Sequence, residues 1–329
     1  MNLPRISVIG LGGTIASGAT SGTGGVVPSL TAADLLAAIP QLSGLAEIEA
    51  GNFANLPSTE IDLELLMHLA EAIREKEAQG FAGVVITQGT DTIEETSYAL
   101  DLLLDCNIPV VVTGAMRNPT MAGIDGPGNL FAAILTALAP EYRDQGVLVV
   151  LDDVIHAAAW VQKRDTSSTG AFWSPSPSGW VAEGRAELRC RFPRRPKVQP
   201  ASAVTLFVPI LKPGLWDSPL LVNLAVENGA DALVLDLAGG GHVSARWVDA
   251  LERAAAKVPV IFASRTRGGR VLSRTYGQAG AELDLQRRGL FGAGDLDALK
   301  ARLAITLLLL ARQPERFAQL ANLSVRTDR

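Results

Sequence analysis

Cysteine is almost absent: the 329 residues contain two, Cys106 and Cys190, far apart and without a CxxC spacing. That pair cannot build a disulfide framework or a thiolate zinc cluster, and it fits a reduced, cytoplasmic setting, with a single disulfide as the open alternative. Histidine is nearly as scarce, and His68, His156 and His242 lie scattered without metal-ligand spacing. Charge of either sign is modest. Lys plus Arg number 29 against 34 Asp plus Glu, a net −5, so nothing global favours nucleic acid or an anionic membrane surface. No apolar run is long enough to span a bilayer, and the longest late one, "LAITLLLLA" at 303–311, suits a packed helix. The start, "MNLPRISVIGLGG", has no charged leader and no cleavage pattern, and the chain is expected to be soluble and not exported. A GxSxG elbow and a Walker A sequence are also missing.

What the chain does have is a rhythm. Short, β-branched apolar runs, "ISVIGL" (6–11), "GVVITQ" (83–88), "PVVVTG" (109–114) and "GVLVVLDD" (146–153), alternate with helical patterns. The latter are "LTAADLLAAI" (30–39), "LELLMHLAEAIREKEA" (63–78), "IEETSYALDLLL" (93–104) and "GNLFAAILTAL" (128–138). Nearly continuous apolar strands of this kind belong to parallel sheets covered on both faces, so the expected fold is α/β: a doubly wound, mostly parallel, flavodoxin- or Rossmann-like N-terminal domain. The proline- and arginine-rich stretch at 185–202 breaks the rhythm and reads as a solvated connector. Alternation resumes with "VTLFV" (204–208), "ALVLDL" (232–237) and "VPVIFA" (258–263). The expected division is therefore 1–188, a linker at 189–203, and a second, smaller α/β domain at 204–329.

In open parallel sheets ligands bind where strand C-termini meet helix N-termini. "ITQGTDTIEET" (86–96) puts Thr90, Asp91 and Thr92 at such a seam. Thr92 and Glu95 read as a capping box, with Ile93, Ser97, Leu100 and Leu104 as the buried face of the helix. Capping uses one of these polar groups, not all three. The first strand ends similarly, with Thr14 after a double glycine; Gly10-x-Gly12 begins a dinucleotide fingerprint that Ile15 breaks. The small-residue loop at 17–29 reads as a mobile lid or a disordered surface loop. Ser58 and Thr59 precede the helix at 63–78, while Lys163 sits among hydroxyls where spacing alone leaves it a solvated lysine. Asp152 and Asp153 are neighbours and, on a strand, would face opposite ways.

Taken in order, "GGTIAS" (12–17), "PSTEID" (57–62), "ITQGTDTIEET" (86–96), "VVVTGAMRNP" (110–119), "DGPGNL" (125–130), "QKRDTSSTGAF" (162–172), "TYGQAGAELDL" (275–285) and "KARLAI" (300–305) resemble the bacterial-type L-asparaginase, or asparaginase–glutaminase, family. The resemblance implies hydrolysis of the amide of L-asparagine to L-aspartate and ammonia, with neither metal nor cofactor. By position, Thr14 would be the nucleophile and Thr90, Asp91 and Lys163 the second catalytic group. Ser58, Thr59 and Asp91 would grip the substrate's α-carboxylate and α-amine, and the backbone at Ala115 would orient the reacting amide. It also implies a homo-oligomer, a tetramer built as a dimer of dimers, with Glu282 contributed across the interface.

The sequence departs from the family in three places. The lid tyrosine is replaced by Gly25-Val26-Val27, and the chain's three tyrosines, Tyr98, Tyr142 and Tyr276, lie elsewhere. "LAGGGHV" (237–243) has glycines where the periplasmic branch commonly places an asparagine, and "SPSPSG" (174–179) replaces Gly-Pro-Leu-Gly. Two alternatives to an asparaginase therefore stand: a hydrolase of another amide, imide or lactam, and a non-hydrolytic small-ligand binder.

Overall fold

The computed structural model describes residues 3–13, 17–19, 26–28, 36–37 and 39–322. Most of the expected helix at 30–39 lies outside the described residues, as do Thr14, Ile15 and Gly25. The chain divides into two compact units, Met1–Arg194 and Arg195–Arg329.

The first unit is built on eight strands. In chain order they are β1 (Arg5–Gly10), β4 (Glu47–Asn52), β5 (Gly83–Thr87), β6 (Val110–Thr113), β7 (Val147–Leu151), β8 (Val154–Ala157), β11 (Gly179–Ala182) and β12 (Arg185–Leu188). Two further pairs stand apart, β2 (Ser17–Ala19) with β3 (Val26–Pro28) and β9 (Gln162–Lys163) with β10 (Phe172–Trp173). The large sheet runs β12-β11-β8-β7-β6-β5-β1-β4. Its parallel part, β4-β1-β5-β6-β7, reverses direction of growth between β1 and β5, which is the flavodoxin-like switch point. The doubly wound, mostly parallel architecture is as the sequence rhythm implies.

Burial explains the rhythm. All five residues of β5 and of β7 are buried, as parallel strands covered on both faces require. Three helices cover them: α1 (Leu63–Ala78), α2 (Ile93–Leu103) and α3 (Gly126–Leu138). Asp62 caps α1 by accepting the Leu65 N–H at 2.8 Å. Ile93, Ser97, Leu100 and Leu104 are buried in and just after α2, but so are Tyr98, Ala99, Asp101, Leu102 and Leu103, so this helix is enclosed nearly all round.

Several expectations are corrected. Asp152 and Asp153 are not on a strand; at φ 53° and 59° they form the two-residue turn joining β7 to β8. Within the loop at 17–29, Ser17, Gly18 and Ala19 pair with Pro28, Val27 and Val26, a short two-stranded element of which sequence patterning gave no sign; residues 20–25 and 29 lie outside the described residues. "VTLFV" is not a strand: Val204 and Phe207 are exposed, and the ladder begins only at Ile210–Leu211, beyond Pro209.

The second unit holds a four-stranded parallel sheet, β13 (Ile210–Leu211), β14 (Leu233–Leu237), β15 (Val260–Ser264) and β16 (Phe291–Gly292). Its helices are α4 (Leu220–Glu227), α5 (Val248–Ala255), α6 (Glu282–Arg287), α7 (Ala298–Leu310) and α8 (Phe317–Ala321). Leu233, Leu235, Phe262, Leu251 and Leu285 form its core.

His156 on β8 is 2% exposed, with Nδ1 2.7 Å from Ser174 Oγ and Nε2 unpartnered. Burial pushes its pKa down from 6.5 to about 4. Between those values the unfolded chain binds a proton that the folded chain excludes. Stability is therefore full above the unfolded value and falls as pH drops towards the folded one, by up to about 3 kcal/mol. In His156→Gln, urea midpoints at pH 7 and pH 4.5 should converge relative to the parent; an unchanged difference would assign the acid sensitivity to other groups.

Candidate active site

The β1/β5 switch point collects the polar seam. After β1, Gly12 and Gly13 turn the chain at φ 106° and 89°. A methyl group on Gly13 would sit 2.1 Å from the Gly89 nitrogen, so the turn after β1 can lie on the turn after β5 only with glycine there. Thr14 itself lies outside the described residues; it is the next residue in the chain.

After β5, Gln88 and Gly89 lead into a single tight turn, Thr90–Thr92, before α2. Thr92 does not form the expected capping box. Its φ and ψ of −121° and 17° leave the extended range usual at an N-cap, and no side-chain cap bond forms. The Thr92 hydroxyl instead donates to the Ser58 carbonyl at 2.8 Å. That bond ties the turn to the neighbouring Ser58–Glu60 turn, where Ser58 is buried and Thr59 exposed. A Cβ on Gly89 would come within 3.0 Å of Ser58 Cβ and Oγ, so the two turns are in van der Waals contact.

Lys163 arrives from the β9–β10 hairpin, opposite Phe172 in the ladder. Its Nζ donates to Thr90 Oγ1 at 2.9 Å and to Asp91 Oδ1 at 2.6 Å, and its backbone N–H donates to Glu94 Oε2 at 3.2 Å. The lysine side chain is 15% exposed and that of Asp91 70%, so a largely covered ammonium holds a buried hydroxyl and an open carboxylate together. The short Lys–Asp contact is a charge-assisted bond, and the Thr90 hydroxyl accepts from the same amine.

The fourth wall follows β6. Ala115 is buried, and its turn is held from beneath by residues to which sequence patterning assigns no role. Asp125 accepts the Met116 and Arg117 N–H groups, both at 2.9 Å, and Asn129 Nδ2 donates to the Gly114 carbonyl at 3.0 Å. Asn129 Oδ1 also accepts the Asp152 N–H at 2.9 Å, linking this turn to the end of β7. The sequence signal for them is the "DGPGNL" segment itself. The structure thus brings Ser58, Thr90, Asp91 and Lys163 together, with Thr59 beside Ser58 and the Ala115 turn adjoining Thr90.

Glu282 belongs to the second unit, at the start of α6. It has no exposed surface; Oε1 accepts the N–H groups of Thr275 and Tyr276 at 2.8 and 2.7 Å, and Oε2 lies 2.9 Å from His242 Nε2. Burial works to raise its pKa, but these hydrogen bonds hold the carboxyl below its usual range. An ionised carboxylate only accepts, so His242 Nε2 carries the proton. In this arrangement both oxygens are already engaged. Tyr98 and Tyr142 have no exposed surface, whereas Tyr276 is 45% exposed and lies edge-on to His242 at 5.2 Å.

No group of three or more His, Cys, Asp or Glu among the described residues could hold a metal ion, and no described helix is long and apolar enough to cross a membrane.

A family model described as "Asparaginase, N-terminal" matches residues 5–192. The chain belongs to the asparaginase family. The model for the "Glutaminase/Asparaginase C-terminal domain" matches residues 208–321 of this asparaginase-family chain. A Deinococcus radiodurans protein named "Probable L-asparaginase" is 37% identical over 313 residues, 94% of each chain. The "L-asparaginase 2" of Escherichia coli is 31% identical, over 97% of this chain and 93% of that one. A glutamyl-tRNA(Gln) amidotransferase subunit from Methanosarcina mazei is 33% identical, over 83% of this chain and 67% of its own length. A solved Campylobacter jejuni structure, described as "Probable Cytoplasmic L-asparaginase", superposes with a TM-score of 0.83 at 29% identity, covering 96% of this chain and 99% of that one. The protein is an amidohydrolase of the L-asparaginase type.

Thr92→Val keeps the shape of the seam and deletes its hydrogen bond to Ser58. A loss of about 0.5–1.5 kcal/mol in urea unfolding is expected, because the Ser58 carbonyl keeps only the longer bond from the Ile61 N–H at 3.3 Å. An undiminished midpoint would mean that the two turns are held by backbone packing alone.

Proposed function

We propose that this amidohydrolase cleaves the side-chain amide of L-asparagine to give L-aspartate and ammonia, with Thr14 as nucleophile. The observation that carries the reading is the Lys163 amine held on Thr90 and Asp91 at the sheet's switch point. A lone surface lysine has no reason to be covered there, against a buried threonine, beside a double-glycine turn.

In the first step the Thr14 hydroxyl oxygen bonds to the amide carbon, and the proton it gives up is passed to the amide nitrogen. The C–N bond then breaks and the protonated nitrogen leaves as ammonia, so Thr14 carries an aspartyl ester. In the second step water, deprotonated at the Thr90–Lys163 pair, attacks that ester and returns the Thr14 hydroxyl and free aspartate. A hydroxyl is a weak nucleophile until a base takes its proton, and lysine serves only when it arrives neutral. Asp91, open to solvent, is free to meet a substrate's α-amine, and that contact competes with its hold on Lys163. The buried Ala115 turn, braced by Asp125 and Asn129, offers the backbone that would orient the amide. Ser58 and Thr59 would receive the α-carboxylate. No resident cofactor or metal has a part in this scheme.

A second reading keeps the chemistry and changes the amide, imide or lactam. It is favoured by Gly25-Val26-Val27 in the lid and by the complete burial of Tyr98 and Tyr142, which leaves Tyr276 as the one tyrosine open to solvent. The match to amidotransferase subunits points the same way, since those proteins are named for amide-nitrogen transfer. The free thiols of Cys106 and Cys190 support a cytoplasmic setting. We extend the proposal to a homo-oligomer in which Glu282 completes a neighbouring subunit's site; to meet a substrate amine there, Oε2 must be released by His242.

Ammonia release should be measured for L-asparagine, L-glutamine, D-asparagine and a panel of other amides. Thr14→Ala, Thr90→Val and Lys163→Met should each lose about 100-fold or more of the turnover. Full turnover in any of them would remove that residue from the scheme, and a preference for another amide would select the second reading. Co-refolding Thr14→Ala with Glu282→Ala should recover activity that neither variant has alone; no recovery would show that Glu282 is not shared.

A further inference from the structure

The hairpin that delivers Lys163 is too short to hold itself in place. Its ladder has two residue pairs, Gln162 with Trp173 and Lys163 with Phe172, extended by the Arg164 N–H, which donates to the Ala171 carbonyl at 2.7 Å. A two-stranded ribbon needs further strands or packing to be stable, and among the described residues this one pairs with no strand of the large sheet.

Its two faces differ. Opposed residues of an antiparallel pair share a face, and successive residues alternate between faces. Lys163 and Phe172 therefore share the inner face, where Phe172 is buried and the lysine reaches Thr90 and Asp91. Gln162, Arg164 and Trp173 share the outer one. There the Arg164 guanidinium carbon stands 3.1 Å from the centre of the Trp173 ring, and Arg164 Nη2 donates to Gln162 Oε1 at 3.4 Å. The stack is a diagonal cross-strand contact, so it ties one strand to the other. The tip is closed by Asp165, whose Oδ1 accepts the N–H groups of Ser167 and Ser168, both at 2.8 Å. On the return, a Cβ on Gly170 would lie 3.1 Å from Asp152 Oδ2, so the hairpin rests against the β7–β8 turn.

We propose that Arg164 and Trp173 are positioning residues, which hold the Lys163 amine on Thr90 by bracing the hairpin from its outer face. The inference rests on the hydrolase reading, whose base it places. A drifting hairpin could keep its lysine on the open Asp91 carboxylate and still lose the Thr90 hydroxyl, because an ammonium binds a carboxylate more strongly than a neutral oxygen. An error of about 1 Å at a reacting group costs on the order of 100-fold in rate. An exposed cation–π contact is small beside the stability of a whole domain, yet large for a ladder of two pairs. Loss of the stack is therefore a loss of aim and not of fold.

The test compares Arg164→Met, Trp173→Ala, their double variant and Trp173→Phe in the full chain. It reads kcat and KM for the amide that the parent hydrolyses best, folding by circular dichroism, and amide hydrogen exchange over residues 161–173. Arg164 is exposed, so Arg164→Met should fold even if Trp173→Ala does not. Each single variant should lower kcat about 10-fold and change KM less than about twofold, since the displaced amine acts on reacting atoms and not on substrate binding. The double variant should lose no more than either single one, because a shared contact is lost only once. Trp173→Phe keeps a ring under the guanidinium and should recover most of the kcat. The Lys163 and Arg164 amides should exchange faster in both single variants and not in Trp173→Phe. Unchanged kcat in folded Arg164→Met, a raised KM alone, additive losses, or an equal loss in Trp173→Phe would each overturn the inference. A parent that releases no ammonia from any amide would fail the hydrolase reading instead. Exchange then decides the bracing, and unaltered protection of Lys163 and Arg164 in Arg164→Met would sink it.

Discussion

Two strand tips, those of β1 and β5, meet where neither carries a side chain. Gly13 lies against the Gln88–Gly89 peptide so closely that a single methyl would displace one chain from the other. Parallel strands diverge at their ends because of sheet twist and the outgoing helices on opposite faces. A switch point is therefore naturally a crevice, and glycine lets its walls approach until polar groups from separate loops can address one small molecule. Ser58, Thr90 and the Ala115 turn hold their places because the backbone beneath them does.

Lys163 is not part of that backbone arrangement. It is delivered by a two-residue strand outside the main sheet, and its place depends on bonds to Thr90, Asp91 and Glu94. The rigid portion of the candidate site is thus set by packing, and the charged portion by mutual attraction. The second unit shows the opposite pattern: Glu282 is fixed by three donors, and its carboxylate is kept ionised by them despite complete burial.

The sequence misleads where a residue has a choice between a local partner and a distant one. Thr92 and Glu95 have the spacing of a capping box, yet the Thr92 hydroxyl bonds to Ser58, 34 positions away in the chain. Asp152 and Asp153 continue an apolar strand by proximity, but the antiparallel return of β8 turns them into a hairpin. Nor does the apolar rhythm reveal β4, β8, β11 or β12. The outer strands β4 and β12 are only partly buried, so they lack the continuous apolar signature of their neighbours.

By itself the sequence determined the alternation of parallel strands and helices, because continuous burial on both faces leaves no freedom in composition. It also determined the family, because "GGTIAS" and "GTDTIEET" combine small and polar residues at strand ends where packing would not demand them. Only the tertiary structure decided that Lys163 is a partner of Thr90 and Asp91, that Asp125 and Asn129 brace the Ala115 turn, and that His242 holds Glu282. These pairs join residues that no local periodicity relates. Their distances are set by strand order and loop closure, which belong to the folded sheet and not to any single segment.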